Sequence, residues 1–390
     1  MMPAPTAPPR RVLYLDGLRG LAAMQVVFGH YTNVFVPAWF SRLGLLVNGD
    51  FAVFIFFIMS GFVLTPSFAR EPRAVPRGLA RRAIRLGIPT AAACAFGYLL
   101  RITWPGSAAS AAGLAGWSWP ANFQSVTLGH ALADGSGLTL LGGYSDTTLF
   151  GFLRPLLFPV QASVDTPIWS LHIELWGSLL ILLLVALRAH ARGTYLLSLL
   201  ACSVLIGGNA LILFVLGNIL SVAAGAEGFP TVLRARWRLP SACLLLALGV
   251  WASLDANIPG LARLGAIAMR YSVVRPYRWF AWHIEVGAVL VFVAVLILPE
   301  VHGLLQARLP QWLGRLSFPI YLLHFPIMLT VGSAVFVAAI PLGRFPAALA
   351  ALAVGLSVTL VAAVGFARLV DQPAIAMASL LHNRRPIGAI

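Results

Sequence analysis

Residues 167–187 read PIWSLHIELWGSLLILLLVAL, and these 21 positions decide the fold class. About 20 apolar residues in a helix cross the roughly 30 Å hydrocarbon core of a bilayer, and this run has that length with a single acid, Glu174, inside it. Similar stretches recur on both sides, separated by short polar or Pro/Gly-containing connections, as a helical bundle in lipid requires. The spans read roughly 15–36, 50–68, 86–104, 167–187, 194–208, 209–226, 239–254, 279–298, 315–338 and 346–369. The expected fold is therefore all-α, a polytopic membrane bundle of about ten transmembrane helices forming one domain over 1–390.

Composition agrees. Charged residues are 10% and apolar residues 59% of 390 positions, where a soluble domain carries roughly 25% and 45–50%. The net charge of +15 would suggest nucleic acid on a soluble basic face, but the basic residues are scattered between apolar spans and read as membrane topology, so no nucleic-acid partner is expected. Cys94, Cys202 and Cys243 fall inside apolar spans without metal or redox spacing, and no metal is expected. The start, Pro3–Pro9 then Arg10-Arg11, offers no short apolar region with a small-residue cleavage site, so no removable signal peptide is expected.

Orientation follows from arginine, which favours cytoplasmic loops. Residues 195–226 form one apolar run broken only by Gly207-Gly208-Asn209, and a turn there makes two spans. Ten spans with an inside N-terminus leave 17 Arg inside and eight outside; merging the pair reduces the split to 15 against 10. Short cytoplasmic tails are expected at 1–14 and 372–390. The loop 255–278 falls outside despite four Arg. The longest connection, about 105–165, is an external loop with an apolar segment, Leu149–Val160, and a candidate lid.

Ionisable residues at membrane depth are costly and so mark function. Arg19 and His30 lie eleven residues apart in the first span, on one face and about 16 Å apart along the axis. They can serve two ends of one long substrate. Glu174, about 10 Å below the outer surface in the fourth span, matches the depth of His30, and a carboxylate beside an imidazole suits a general base for a hydroxyl group. Arg82 and Arg85 share a helix face at the inner end of the third span and, with Arg19, could form a phosphate-binding cluster. Ser60 beside Gly61 permits close helix approach or hosts a ligand, and His324 shares a face with Tyr321.

Five motifs agree in order with a known family: LDGLRGLAA at 15–23 with the Arg19-x10-His30 arrangement, FFIMSGFVL at 56–64, RRAIRL at 81–86, PIWSLHIEL at 167–175 and LSFPIYLLHFP at 316–326. Together they resemble the acyltransferase-3 family of integral-membrane O-acyltransferases, over nearly the whole chain. The resemblance implies transfer of a short acyl group, acetyl most often, from acyl-CoA to a hydroxyl of a sugar, glycolipid or polysaccharide, at a bacterial inner membrane. No cofactor is permanently bound; the partners are acyl-CoA, a carbohydrate or glycolipid acceptor, and membrane lipids. By the same resemblance Arg19 and His30 are the essential pair, Arg82 and Arg85 the basic motif, and Glu174 the carboxylate after Trp169-Ser170-Leu171. Two departures stand out: Leu175-Trp176-Gly177 follows Glu174 where aromatics are usual, and Asp371-Gln372-Pro373 replaces Glu-x-Pro. The competing class is a proton-coupled transporter or flippase of a glycan precursor, which also buries Arg, His and Glu, but no internal repeat or paired broken helices support it.

Overall fold

The computed structural model describes residues 12–37, 43–72, 74–116, 126–225, 235–277 and 279–381. These are helical, with no strand among them. Helix α1 (Leu13–Phe35) leads through a 3-10 turn at Gly44–Val47 to α2 (Gly49–Phe68). The Asn48 side chain starts α2 by accepting from the Phe51 backbone N–H at 2.9 Å, which satisfies one of the donors a first turn leaves over. A helix that is apolar all round belongs inside. Phe54, Phe57, Ile58 and Met59 of α2 are accordingly buried, and α2 is the central post of the bundle.

Helix α3 (Val75–Thr103) begins at Val75 rather than near 86, so the RRAIRL motif lies within it. The expected 105–165 loop holds short helices α4 (Ser107–Ala115), α5 (Leu128–Gly135) and α6 (Leu138–Gly142) and 3-10 turns, with 117–125 outside the described residues. Asp134 ties its middle to its C-terminal end: Tyr144 Oη donates to one carboxylate oxygen at 2.8 Å, while Ser163 Oγ and the Val164 N–H donate to the other at 3.0 and 2.9 Å. His172 and Trp176 of α7 (Trp169–His190) bind the loop from the other side. His172 Nε2 accepts from the Leu149 N–H at 3.2 Å, and Trp176 Nε1 donates to the Leu141 carbonyl at 2.9 Å.

The Gly207-Gly208-Asn209 turn separates α8 (Arg192–Leu205) from α9 (Leu211–Ala224). Then follow α10 (Ala235–Leu254), α11 (Pro259–Tyr271), α12 (Trp282–Ile297) and α13 (Pro299–Leu305), the last two bent by 95°. Helix α14 (Arg308–Ile327) runs through a π-helical turn at Met328–Gly332 into α15 (Ser333–Ala339), and α16 (Arg344–Phe366) through another at Ala367–Asp371 into α17 (Gln372–Leu380). The last helix thus extends over residues expected as a tail; 1–11 and 382–390 lie outside the described residues.

Among the described residues six helices are long and apolar enough to cross a membrane, and up to seven if the bent pair is one span; the expected ten are not reached by that measure. Helices α8 and α9 have 14 residues each, about 21 Å, which is short for a 30 Å core. Helix α1 has 23 residues but carries Asp16, Arg19, Gln25, His30 and Asn33, and it is not among the six. The turn after α8 lies at the same end of the bundle as the segment after α11: Asn209 Nδ2 donates to the Arg275 carbonyl at 3.0 Å and the Val273 N–H to the Leu205 carbonyl at 2.8 Å.

Two backbone crossings fix the site. A Cβ on Gly314 of α14 would overlap the Asp16 carbonyl of α1, and one on Gly61 of α2 would overlap the Phe214 carbonyl of α9. Small residues allow such approaches in membrane bundles. Consequently α1 packs along α14 and α2 along α9, while α7 packs against α2 and α3.

Candidate active site

A cavity of about 480 Å³ opens at one end of the bundle, between α1, α2, α3, α7, α14 and α17. Four arginines line it: Arg19, Arg82, Arg85 and Arg315. Arg82 is held firmly. It donates to Glu174 Oε1, and its Nε donates to Ser178 Oγ at 3.0 Å; Ser60 Oγ donates to the same Glu174 oxygen at 2.7 Å. Arg19 stands 3.9 Å from Asp16, one turn back on α1. Arg85 and Arg315 are exposed and complete the basic wall, with Asp371 as an acid among them. The excess of positive charge, and guanidinium forks that match phosphate oxygens, make this end suited to a polyanionic ligand.

A second cavity, of about 320 Å³, lies toward the other end. Its lining includes His30, Asn33, Asn48, Asp50, Gln161 and Trp169. Trp169 is packed by Tyr277 at 4.7 Å and by Trp279 at 5.7 Å between ring centroids, giving an aromatic wall opposite polar side chains. Val53 and Tyr321 line both cavities, so the two meet there. The Tyr321 hydroxyl is pinned: it donates to the Pro167 carbonyl at 2.8 Å and lies 2.7 Å from Ser170 Oγ.

His30 Nδ1 lies 2.9 Å from Nε2 of His324, which is fully buried in α14. His324 Nδ1 in turn sits 3.0 Å from the Ile320 carbonyl and 2.8 Å from the Tyr321 carbonyl. Phe325 packs edge-on against the His30 ring at 5.1 Å. The arrangement is an imidazole, oriented by a second imidazole, at the wall of a mixed polar and aromatic cavity. A group so placed can take a proton from a hydroxyl bound beside it.

The model of the acyltransferase-3 family, described as an acyltransferase domain, matches residues 12–365, nearly the whole chain. The chain belongs to this family. No curated protein and no solved structure matches it. It is thus a membrane acyltransferase.

In this acyltransferase the residues singled out in the sequence gather around the two cavities. Arg19, Ser60, Arg82, Arg85, Ser170, Glu174 and Tyr321 line the first, His30, Trp169 and Tyr321 the second, and His324 stands behind His30. One pairing differs from expectation. Glu174 faces Arg82 and Ser60 in the arginine cavity, and the partner of His30 is His324. Matched depth put the two residues at one height, but α1 packs along α14 whereas α7 packs against α2 and α3. Arg315 in the first cavity and Asp50, Gln161 and Trp279 in the second are lining residues that the motifs do not single out. Arg315 does precede LSFPIYLLHFP by one residue, and Asp50 is an acid at the first position of the second expected span, which were usable signals.

Proposed function

We propose that this acyltransferase is a bacterial inner-membrane enzyme that moves a short acyl group, acetyl above all, from acyl-CoA to a hydroxyl of a sugar, glycolipid or polysaccharide. The observation that carries the reading is the pair of cavities of opposite character that meet at Val53 and Tyr321. The arginine cavity suits the phosphates of coenzyme A, with Arg85, Arg315 and Arg19 as ligands and Arg82 fixed by Glu174. The thioester arm then reaches across the junction toward His30, about 16 Å along α1 from Arg19. In the second cavity, Trp169 and Trp279 offer apolar faces to a sugar ring while Asn33, Asn48, Asp50 and Gln161 offer hydrogen bonds to its hydroxyls.

His30 removes the hydroxyl proton as the oxygen attacks the thioester carbonyl. The new C–O bond forms, the C–S bond breaks, and the thiolate leaves with the proton that His30 held. In this reading the arginine cavity opens to the cytoplasm, both termini are cytoplasmic, and the His30 cavity faces outward. The test is mass spectrometry of the host's surface glycans with and without the chain, joined to transfer of labelled acetyl from acetyl-CoA in membranes. An alkali-labile acyl ester present only with the chain, and absent with His30→Ala at equal protein level, is expected. Identical glycans and no incorporation of label would overturn the reading.

A further inference from the structure

We infer that His324 is a positioning residue that fixes the proton of His30 on Nδ1 and so leaves the lone pair on Nε2 for the hydroxyl. The inference rests on the reading of His30 as the base. It starts from the two carbonyls. His324 Nδ1 lies 3.0 Å from the Ile320 oxygen and 2.8 Å from the Tyr321 oxygen, and only an N–H fits against two acceptors. In the neutral ring the other nitrogen, Nε2, must then be an acceptor. That nitrogen is the one 2.9 Å from His30 Nδ1, so His30 has to donate there. A neutral His30 that donates from Nδ1 carries its lone pair on Nε2.

The geometry of the helices maintains this chain of donors. Gly314 lets α14 lie directly on α1, which sets His324 beside His30 one end further along the crossing. Phe325 packs edge-on against the His30 ring at 5.1 Å and limits its rotation. When His30 takes the hydroxyl proton on Nε2, its Nδ1–H becomes a charge-assisted donor to His324 Nε2, so the same contact strengthens as the reaction proceeds. Carboxylates perform this duty in serine hydrolases. Here a second neutral imidazole, wired to its own helix backbone, takes that place, and Glu174 is engaged elsewhere.

The experiment uses the full chain in membranes with 15N-labelled histidine, the His30 signals being identified by their loss in His30→Gln. Wild-type His30 should carry its proton on Nδ1. In His324→Met, which fills space without an acceptor at the same place, the proton should move to Nε2 and acyl transfer should fall by about 100-fold or more, the size of a lost general base. His324→Gln keeps the polarity, its amide N–H toward the carbonyls and its oxygen toward His30, and should restore transfer to within about tenfold of wild type. A wild-type His30 protonated on Nε2, a His324→Met protein that transfers at the wild-type rate, or a Gln variant no better than Met at equal protein level would overturn the inference. If the wild-type chain transferred no acyl group at all, the proposed function would fail, while the His30 tautomer would still decide the dyad.

Discussion

Glu174 and Arg82 show how a residue can be legible in a sequence while its duty is not. A carboxylate in the middle of PIWSLHIEL stands out because a charge there is costly, but the sequence does not say which helix lies beside it. The structure joins it to Arg82, and both side chains are little exposed, at 10% and 15%. Breaking a buried pair leaves one charge uncompensated, so Glu174→Gln and Arg82→Gln should each destabilise the protein by about 3–5 kcal/mol, and the double variant by less than their sum. Thermal unfolding of the four purified proteins measures this; strict additivity would mean that the contact carries no coupling. Because Glu174 does not touch His30, the pH profile of transfer in Glu174→Gln should keep its shape, and a displaced rising limb would restore the carboxylate–imidazole pairing. Arg85 and Arg315 differ from Arg82 in being exposed to the cavity. Arg85→Ala and Arg315→Ala should each weaken acyl-CoA binding by about tenfold, as loss of a charge-assisted hydrogen bond does, without changing the KM for the acceptor. Unchanged affinity in both would remove the arginine cavity as the donor site.

At the scale of helices, the crossing of α1 and α14 at Gly314 holds the dyad together. Gly314→Ala puts a methyl group onto the Asp16 carbonyl, and the helices must separate or tilt. Transfer should drop by about tenfold or more with His30 and His324 both present, since a misplacement near 1 Å suffices for losses of this order. Gly303→Ala in α13, where nothing lies within 4 Å of the added carbon, is the control and should be neutral or slightly stabilising. Equal activity of the two variants would show that the crossing can relax. The apolar runs made α2, α7 and α16 readable because a buried or lipid-facing helix has one dominant signal, hydrophobicity. Helix α3 begins at Val75, ahead of the apolar span that starts near 86, because hydropathy marks only the lipid-crossing part of a helix; Arg81 and Arg82 lie in the turns before it, with Glu71 and Glu174 as partners that a linear reading does not place. The pairing of His30 with His324 spans 294 residues of sequence, and no local pattern encodes which helix becomes the neighbour.

For the whole molecule, the ends of the bundle make a prediction about compartments. Asn257, in the connection between α10 and α11, and Gly193, at the start of α8, are both exposed and belong to opposite ends in the proposed topology. In a cysteine-free background, a membrane-impermeant maleimide added to intact spheroplasts should label Asn257→Cys and leave Gly193→Cys untouched until lysis. Labelling of both from one side would remove the topology. The meeting of the two cavities at Tyr321 carries a further consequence. In the proposed topology the two clefts, lined by arginines in one and by Asn, Asp and Gln in the other, open to opposite faces and would admit water, so the insulating layer of the membrane would thin to the width of a few side chains at this point. An electrical potential across the bilayer, about 2.3 kcal/mol per elementary charge at 100 mV, is then dropped over that short distance. A neutral acyl group passes such a field without work, whereas a stray ion would be driven through it. In that topology Tyr321 would serve as an insulator as well as a wall, and proteoliposomes holding Tyr321→Gly should then lose an imposed potential faster than those holding the wild-type chain.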